Sequence, residues 1–461
     1  MNTEKTKQYK EVFRRTAMLA VPIMVQNAIT NAAGLIDNIM VGSIDTEAMT
    51  AVSIAGQLIF VFNLAIFGGL SGPGIFGAQY YGRKDTEGVR NVFRIKLWIG
   101  IICTIIGTLI FVFKDDWLLG LYLRGNDSAE IDKALTLFYA KDYLRIMLIG
   151  LFPFALTQIY STSLRETNES FKPMIAGIVS VVINIVFNYL LIFGKFGFPK
   201  LGVEGAAYAT VLCRFAECAV IVLWAHLSKK HEFIKGIYRT ILVPKKIIKP
   251  IIIKTVPILL NEFLWSAGLA AMTQNYSLIG VIVLPAQTIS NALCNLMNVV
   301  FIALGNAVGI IVGQYLGAGE FEKAKQNSKA LMWFTAFASA VVAAILIGFS
   351  GMFPKIYNTS DDVKSLASKF IFITACFFPL QGFLNSLYFT LRSGGKTIVT
   401  FLFDSCFSWV VCVPASFLLC KYSGLDIIPI FIMIQALDFI KVIVGYIMIN
   451  KGIWISNIVK E

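Results

Sequence analysis

Apolar residues run along this chain in long blocks, and short polar stretches separate them. The blocks fall near 17–42, 49–76, 92–113, 136–163, 173–194, 203–228, 250–276, 283–312, 329–353, 366–391, 397–420 and 425–450. At about 1.5 Å per residue, each is long enough as an α-helix to cross roughly 30 Å of hydrocarbon. Several are longer than needed, so tilt or protrusion is expected. The pattern predicts twelve membrane-spanning helices.

Composition agrees. Hydrophobic residues make up 57% of the 461-residue chain and charged residues only 15%, against about 25% charged in an ordinary soluble protein. The start, "MNTEKTKQYKEVFRR", is polar and basic, and the apolar run after it is too long for the core of a signal peptide. The net charge of +13 could point to nucleic acid, but its placement points to topology. With both termini placed in the cytoplasm, the inward segments hold 27 Lys and Arg and the outward loops hold 9, Arg124 among them. That asymmetry sets the expected orientation, in a plasma membrane, by the positive-inside rule. The eight cysteines lie in or beside apolar segments, with no CxxC and only two histidines, so small buried side chains are expected rather than disulfides or a metal centre.

The two halves repeat. "FGAQYYGRKDTEGVR" begins at Phe76 and "IVGQYLGAGEFEKAK" at Ile311. At that one offset Pro22 meets Pro257, Asn63 meets Asn298, and Gln79, Tyr80, Gly82 and Glu87 meet Gln314, Tyr315, Gly317 and Glu322. Further on, "FPFALTQIYSTSLR" at 152–165 resembles "FPLQGFLNSLYFTLR" at 378–392, which places Pro153 opposite Pro379. Matches of polar and helix-breaking residues do not follow from shared apolarity, so the chain reads as an internal duplication. Six spans per half make a parallel repeat about an axis along the membrane normal. The expected domains are 1–228, a basic linker at 229–249, and 250–461.

Polar residues inside the spans carry the candidate chemistry. In the first span, Asn27, Thr30, Asn31, Gly34, Asp37 and Asn38 share an arc of about 120°. An intramembrane acid costs roughly 2.5–3.5 kcal/mol on insertion scales and usually marks an ion or substrate path. In the fifth span Ser180, Asn184 and Asn188 lie four apart on one face. Asparagine offers a carbonyl oxygen to a cation and an amide to a carboxylate, so this face suits Asp37 in either role. Interhelical hydrogen bonding alone is the plainer alternative. Glu262 is the sole acid of the seventh span and stands opposite Asn27 in the repeat. Arg214 with Glu217, and Asp438 with Lys441, read as self-neutralising pairs at i and i+3. Asp404 has no evident partner. "GGLSGPG" at 68–74, Pro153 and Pro379 mark places where helices bend or approach closely.

Taken in order, Asp37 in "GLIDNIMVG", the loop "GAQYYGRKD" echoed by "GQYLGAGE", the stretch "STSLRETNESFKPM" and "LGVEGAAYATVLCR" make the whole chain resemble the multidrug and toxic compound extrusion family. The resemblance implies an all-α fold of two pseudo-symmetric six-helix bundles arranged as a V. It implies export of small organic cations coupled to inward H⁺ or Na⁺ flow. The family's cation site falls here on Asp37, Asn184, Asn188 and Thr210, with Asp37, Asn184 and Asn188 as Na⁺ ligands. Some members carry aspartate at the position of Asn188, so this site has one acid fewer than theirs. One branch also uses acids in helices 7 and 10; Glu262 lies near the first place and Gln381 takes the second. Asn27, Asn31, Asn38, Glu262 and Gln381 are accordingly expected in the substrate cavity or a secondary coupling site.

On this reading a proton or Na⁺ neutralises Asp37, and the change biases alternating access. The protein is then a monomeric antiporter in the lipid bilayer, with no cofactor beyond its coupling ion and no nucleic-acid partner. A major-facilitator carrier is one rival, but Tyr80 and Tyr81 stand where that family's loop expects charged residues. A lipid-linked precursor flippase is another; it needs a cationic cavity, for which only Arg214, Lys441 and the Lys141/Arg145 pair are placed. No HExxH, GxSxG or paired intramembrane aspartates at helical spacing support an enzyme.

Overall fold

The computed structural model describes residues 2–123, 132–228 and 230–460. Arg124 and Lys229 therefore lie outside the described residues. The described chain is helical and contains no strand. Its α-helices in chain order are α1 (Asn2–Gly42), α2 (Thr46–Gly82), α3 (Thr86–Phe113), α4 (Asp115–Leu123), α5 (Lys133–Ile149), α6 (Leu151–Glu166), α7 (Phe171–Phe193), α8 (Gly202–Leu227), α9 (Lys245–Tyr276), α10 (Val283–Gly317), α11 (Phe321–Phe349), α12 (Asp361–Ser393), α13 (Thr397–Phe401), α14 (Val413–Tyr422), α15 (Ile427–Ala436) and α16 (Asp438–Asn450). Ten stretches are long and apolar enough to cross a membrane, and α5 with α6 makes an eleventh if counted as one bent span. α9, at 32 residues, takes the remaining place in the order of twelve.

Four features depart from uninterrupted spans. The fourth span bends by 49° between α5 and α6. Gly150 sits at the break and Pro153 in the first turn of α6, where its missing N–H costs little. Pro379, its counterpart, lies inside an unbroken α12; Cys376 stands there in place of the glycine. Two π-helical turns, Leu402–Cys406 and Ser408–Cys412, connect α13 to α14. α4 is an additional short helix between the third and fourth spans. α1 runs 41 residues because the basic N-terminal stretch continues the helix instead of ending before Thr16.

The chain divides into two compact units: Met1–Met24 with Ile75–Asp85 and Ile251–Glu461, and Val25–Gly74 with Thr86–Pro250. α1 passes from one to the other just after Pro22, and α2 at Gly74, next to Pro73. The units are thus drawn differently from the chain segments 1–228 and 250–461.

In the first unit the core is built on α10, α11 and α12, with Leu304, Leu316, Leu331, Leu387 and Leu391 almost fully buried. The N-terminal turns of α1 join it through Val12 and Leu19, and Phe13 stacks on Phe334 at 4.9 Å between centroids. The repeat's matched residues meet here. A Cβ on Gly82 would lie 2.0 Å from the backbone oxygen of Gln314, and a Cβ on Gly317 1.9 Å from that of Gln79. Only glycine admits so close a crossing of α2 and α10. The Gln79 amide donates to the Ser393 (2.9 Å) and Ser456 (3.2 Å) carbonyls and accepts from the Ile458 amide (2.9 Å). Arg83 donates to Val459 at 2.7 Å, and Trp454 is fully buried. The segment after α16 is therefore folded onto the C-terminal end of α2.

In the second unit α7 and α8 pack at close range, because Gly205 lets α8 approach the Leu191 carbonyl; a Cβ there would lie 2.6 Å from it. α3 packs on α6 and carries Lys96, which is buried and donates to Glu166 at 2.6 Å and to Ser163 at 3.1 Å. The basic linker is ordered against α3. Arg90 donates to the Phe233 and Glu232 carbonyls, Arg94 to Ile237, and Trp98 to Ile241.

Candidate functional site

The C-terminal half of α1, from Val25, belongs to the same unit as α7 and α8. That placement brings Asp37 onto the asparagine face of α7. Asn188, fully buried, donates to Asp37 Oδ1 at 2.5 Å. The Asn184 amide is satisfied with its nitrogen toward the carboxylate, donating to both Asp37 oxygens at 2.8 and 3.2 Å; its other terminal atom then lies 3.4 Å from Thr210 Oγ1. Thr210 comes from α8, one turn and a half beyond Gly205, and Ser180 of the same α7 face donates to the Cys213 carbonyl at 3.1 Å.

The four residues Asp37, Asn184, Asn188 and Thr210 thus form one hydrogen-bonded cluster. Its chemistry is oxygen-rich and carries a single carboxylate, so it balances one positive charge. The Asn188 carbonyl oxygen is buried with no partner among the described residues, which leaves an acceptor beside Asp37. Hard monovalent cations and protons are the species such oxygens receive.

Two polar contacts escaped the sequence reading, the first beside the cluster and the second about three turns along α1 from Asp37. Tyr143 of α5, buried, hydrogen-bonds Thr210. A lone tyrosine inside an apolar span reads as an ordinary packed aromatic, so the sequence carries no signal for it. Gln26 of α1 accepts from Arg165 at 2.6 Å and hydrogen-bonds Glu217. Arg214 and Glu217 attract each other as the i, i+3 spacing predicts, without an ion-pair contact among the described residues. The Arg214 guanidinium also donates to the Gly150 carbonyl at 3.3 Å, which accepts the Phe154 N–H at 3.2 Å as well, and lies 5.0 Å over the Phe154 ring.

The remaining sequence candidates fall elsewhere. Asn27 is half-buried, Asn31 and Asn38 are exposed, and none of the three bonds to the Asp37 cluster among the described residues. Glu262 and Gln381 belong to the other compact unit. Glu262 lies 3.8 Å from Arg392. Gln381 donates to Asp438 at 2.5 Å. Asp438 pairs with Lys441 at 3.0 Å, as the spacing predicts. Asp404 has partners after all: Asn261 donates to it at 3.1 Å, and Lys441 lies at 3.8 Å. The cations a flippase cavity would need are similarly engaged, with Lys141 on Asp116 and Arg145 3.7 Å from Asp115.

Comparison with known proteins places this architecture. The chain is 28% identical over 433 residues to the "Probable multidrug resistance protein YoeA" of Bacillus subtilis, covering 92% of this chain and 91% of that one. It is 24% identical to the "Probable multidrug resistance protein NorM" of Thermotoga maritima, over 91% of this chain and 88% of that one. Among solved structures, a MATE in the bent conformation superposes with a TM-score of 0.85 at 20% identity, covering 97% and 96% of the two chains. An outward-facing multidrug resistance MATE family transporter superposes with a TM-score of 0.82, covering 95% of each. The family model MatE matches residues 22–190 and 257–418, one stretch in each half of the duplication, so the chain belongs to the MatE family of multi-pass membrane transporters and is not an enzyme.

Proposed function

We propose that this transporter exports small organic cations across the plasma membrane in exchange for an inward-moving proton or Na⁺, with Asp37 as the coupling group. The reading takes both termini as cytoplasmic, a monomer as the working unit, and 1–228 and 250–461 as the two functional halves joined by 229–249. The observation that carries it is the contact of Asp37 with Asn188 and Asn184. When Asp37 is charged, both amides donate to it. When a proton or Na⁺ neutralises it, these charge-assisted bonds weaken, and with them the hold of α7 on the C-terminal half of α1. Substrate export follows if an organic cation prefers the state with Asp37 charged and the coupling ion prefers the other. The exchange is then a difference of affinities between two conformations. The names of the relatives, multidrug resistance proteins, support the substrate class.

The test is dye efflux from proteoliposomes, with a Na⁺ gradient and a pH gradient imposed separately. Asp37→Asn is expected to insert and fold normally and to lose gradient-driven export with either ion. Export at the wild-type rate by that variant ends the proposal, and the gradient that drives the wild type identifies the ion.

A further inference from the structure

The linker between the halves folds into a cavity of about 360 Å³ that the coupling reading does not use. It is lined by His226 and Ser228 at the end of α8 and by His231, Lys235, Tyr238 and Arg239 of the linker. The wall is built, not incidental. Phe233, Ile234 and Ile237 are buried beneath it, and Arg90, Arg94 and Trp98 hold the carbonyls of its turns. On its inner side Tyr160 hydroxyl meets both His226 Nε2 (2.9 Å) and Tyr238 hydroxyl (2.5 Å). Gly236, at φ +76°, turns the chain between Lys235 and Ile237.

No carboxylate lines this cavity. Lys235 and Arg239 are exposed and form no ion pair among the described residues, whereas Arg90 and Lys230 are paired with Glu87 and Glu169. Two uncommitted cations, the His231 imidazole and the Ser228 hydroxyl line one opening, and they are a donor set for a phosphate ester; His226 and Tyr238 are tied to Tyr160 behind them. The His231 imidazole is held below its ordinary range, chiefly by burial, with Lys230 and Lys172 acting in the same sense and Glu169 against them. Exposed apolar residues flank the lining residues in the chain: Leu227 is 80% exposed, Leu242 82%, and Ile241 and Tyr238 about half. The cavity follows directly on a membrane-spanning helix, so these residues meet the bilayer boundary. Basic residues beside exposed apolar ones at that depth are the signature of an anionic lipid surface.

We propose that this cavity binds the phosphate headgroup of an anionic membrane phospholipid, with Lys235 and Arg239 as its principal contacts. The purified full chain in neutral detergent is titrated with phosphatidylglycerol, with phosphatidylcholine of the same acyl chains, and with glycerol 3-phosphate, and retained ligand is counted by native mass spectrometry. Phosphatidylglycerol is expected to be retained and phosphatidylcholine not. Lys235→Gln/Arg239→Gln should weaken retention about 30-fold, at roughly tenfold or less per surface cation. The charge-keeping Lys235→Arg/Arg239→Lys should retain it. Lys195→Gln/Lys200→Gln, which removes two exposed cations from the loop between α7 and α8, should leave it unchanged. Equal retention by the first double variant, or an equal loss in the control pair, overturns the site. Equal retention of phosphatidylcholine overturns the headgroup chemistry. Glycerol 3-phosphate bound as tightly as the lipid assigns a soluble phosphate ester and overturns the membrane source.

Discussion

Gly82 and Gly317 end α2 and α10 and face each other's backbones across the crossing. Replacing Gly82 with alanine puts a methyl 2.0 Å from the Gln314 oxygen, and the same change at Gly317 puts one 1.9 Å from the Gln79 oxygen. Ordinary carbon contacts begin near 3.4 Å, so the helices must part by roughly 1 Å or more in either case. Overpacking of this kind costs about 1–3 kcal/mol. Parting also strains the three hydrogen bonds of Gln79 and that from Asn457 to the Gly317 carbonyl (3.3 Å), each worth about 0.5–1.5 kcal/mol. The gain in helix propensity, about 1 kcal/mol in a helix interior, is smaller at a terminal residue. Each single variant is therefore expected to lose about 2–4 kcal/mol by these terms. The two glycines relieve one strain, so the second alanine should meet helices already parted. The double variant should fall short of the summed losses by about 1 kcal/mol or more. Thermal unfolding in detergent, followed by loss of the monodisperse elution peak, ranks the four proteins, with Gly348→Ala as a control because nothing lies within 4 Å of that position. Single variants as stable as the control, or losses that add fully, would refute the reciprocal crossing.

Further outcomes follow from other contacts. Gly205→Val should push α8 from the Leu191 carbonyl, cost about 1–3 kcal/mol in stability, and move Thr210 off Asn184; ion-driven efflux falling by less than twofold would contradict the placement. Lys96→Met removes the cation 2.6 Å from the Glu166 carboxylate and should destabilise by about 3–5 kcal/mol, whereas Lys96→Met/Glu166→Gln should recover part of that loss, both read by unfolding midpoint. Asp438→Asn should cost more stability than Asp404→Asn, since Lys441 lies 3.0 Å from the first and 3.8 Å from the second, while each loses one amide donor's charged acceptor, Gln381 and Asn261 respectively; the reverse order of midpoints would count against this network.

The sequence by itself determined the spans, the duplication and the residues that had to be sheltered from lipid. A bilayer penalises every unpaired polar group, so an acid in the first span and three polar residues at i, i+4 spacing in the fifth stand out from their surroundings. The solvent enforces that pattern within single helices, and it is legible without a fold. Tertiary structure decided which polar residues meet. It joined Asp37 to Asn184 and Asn188 by carrying the C-terminal half of α1 with α7, and it left Asn31 and Asn38 of the same strip exposed. It gave Asp404 its asparagine and its lysine, turned Arg214 to the Gly150 carbonyl, and set Tyr143 against Thr210. Each of these contacts joins residues on different helices. Their distances depend on the axial rotation and separation of the packed helices, which small residues such as Gly205, Gly82 and Gly317 fix, and no periodicity along one helix records them.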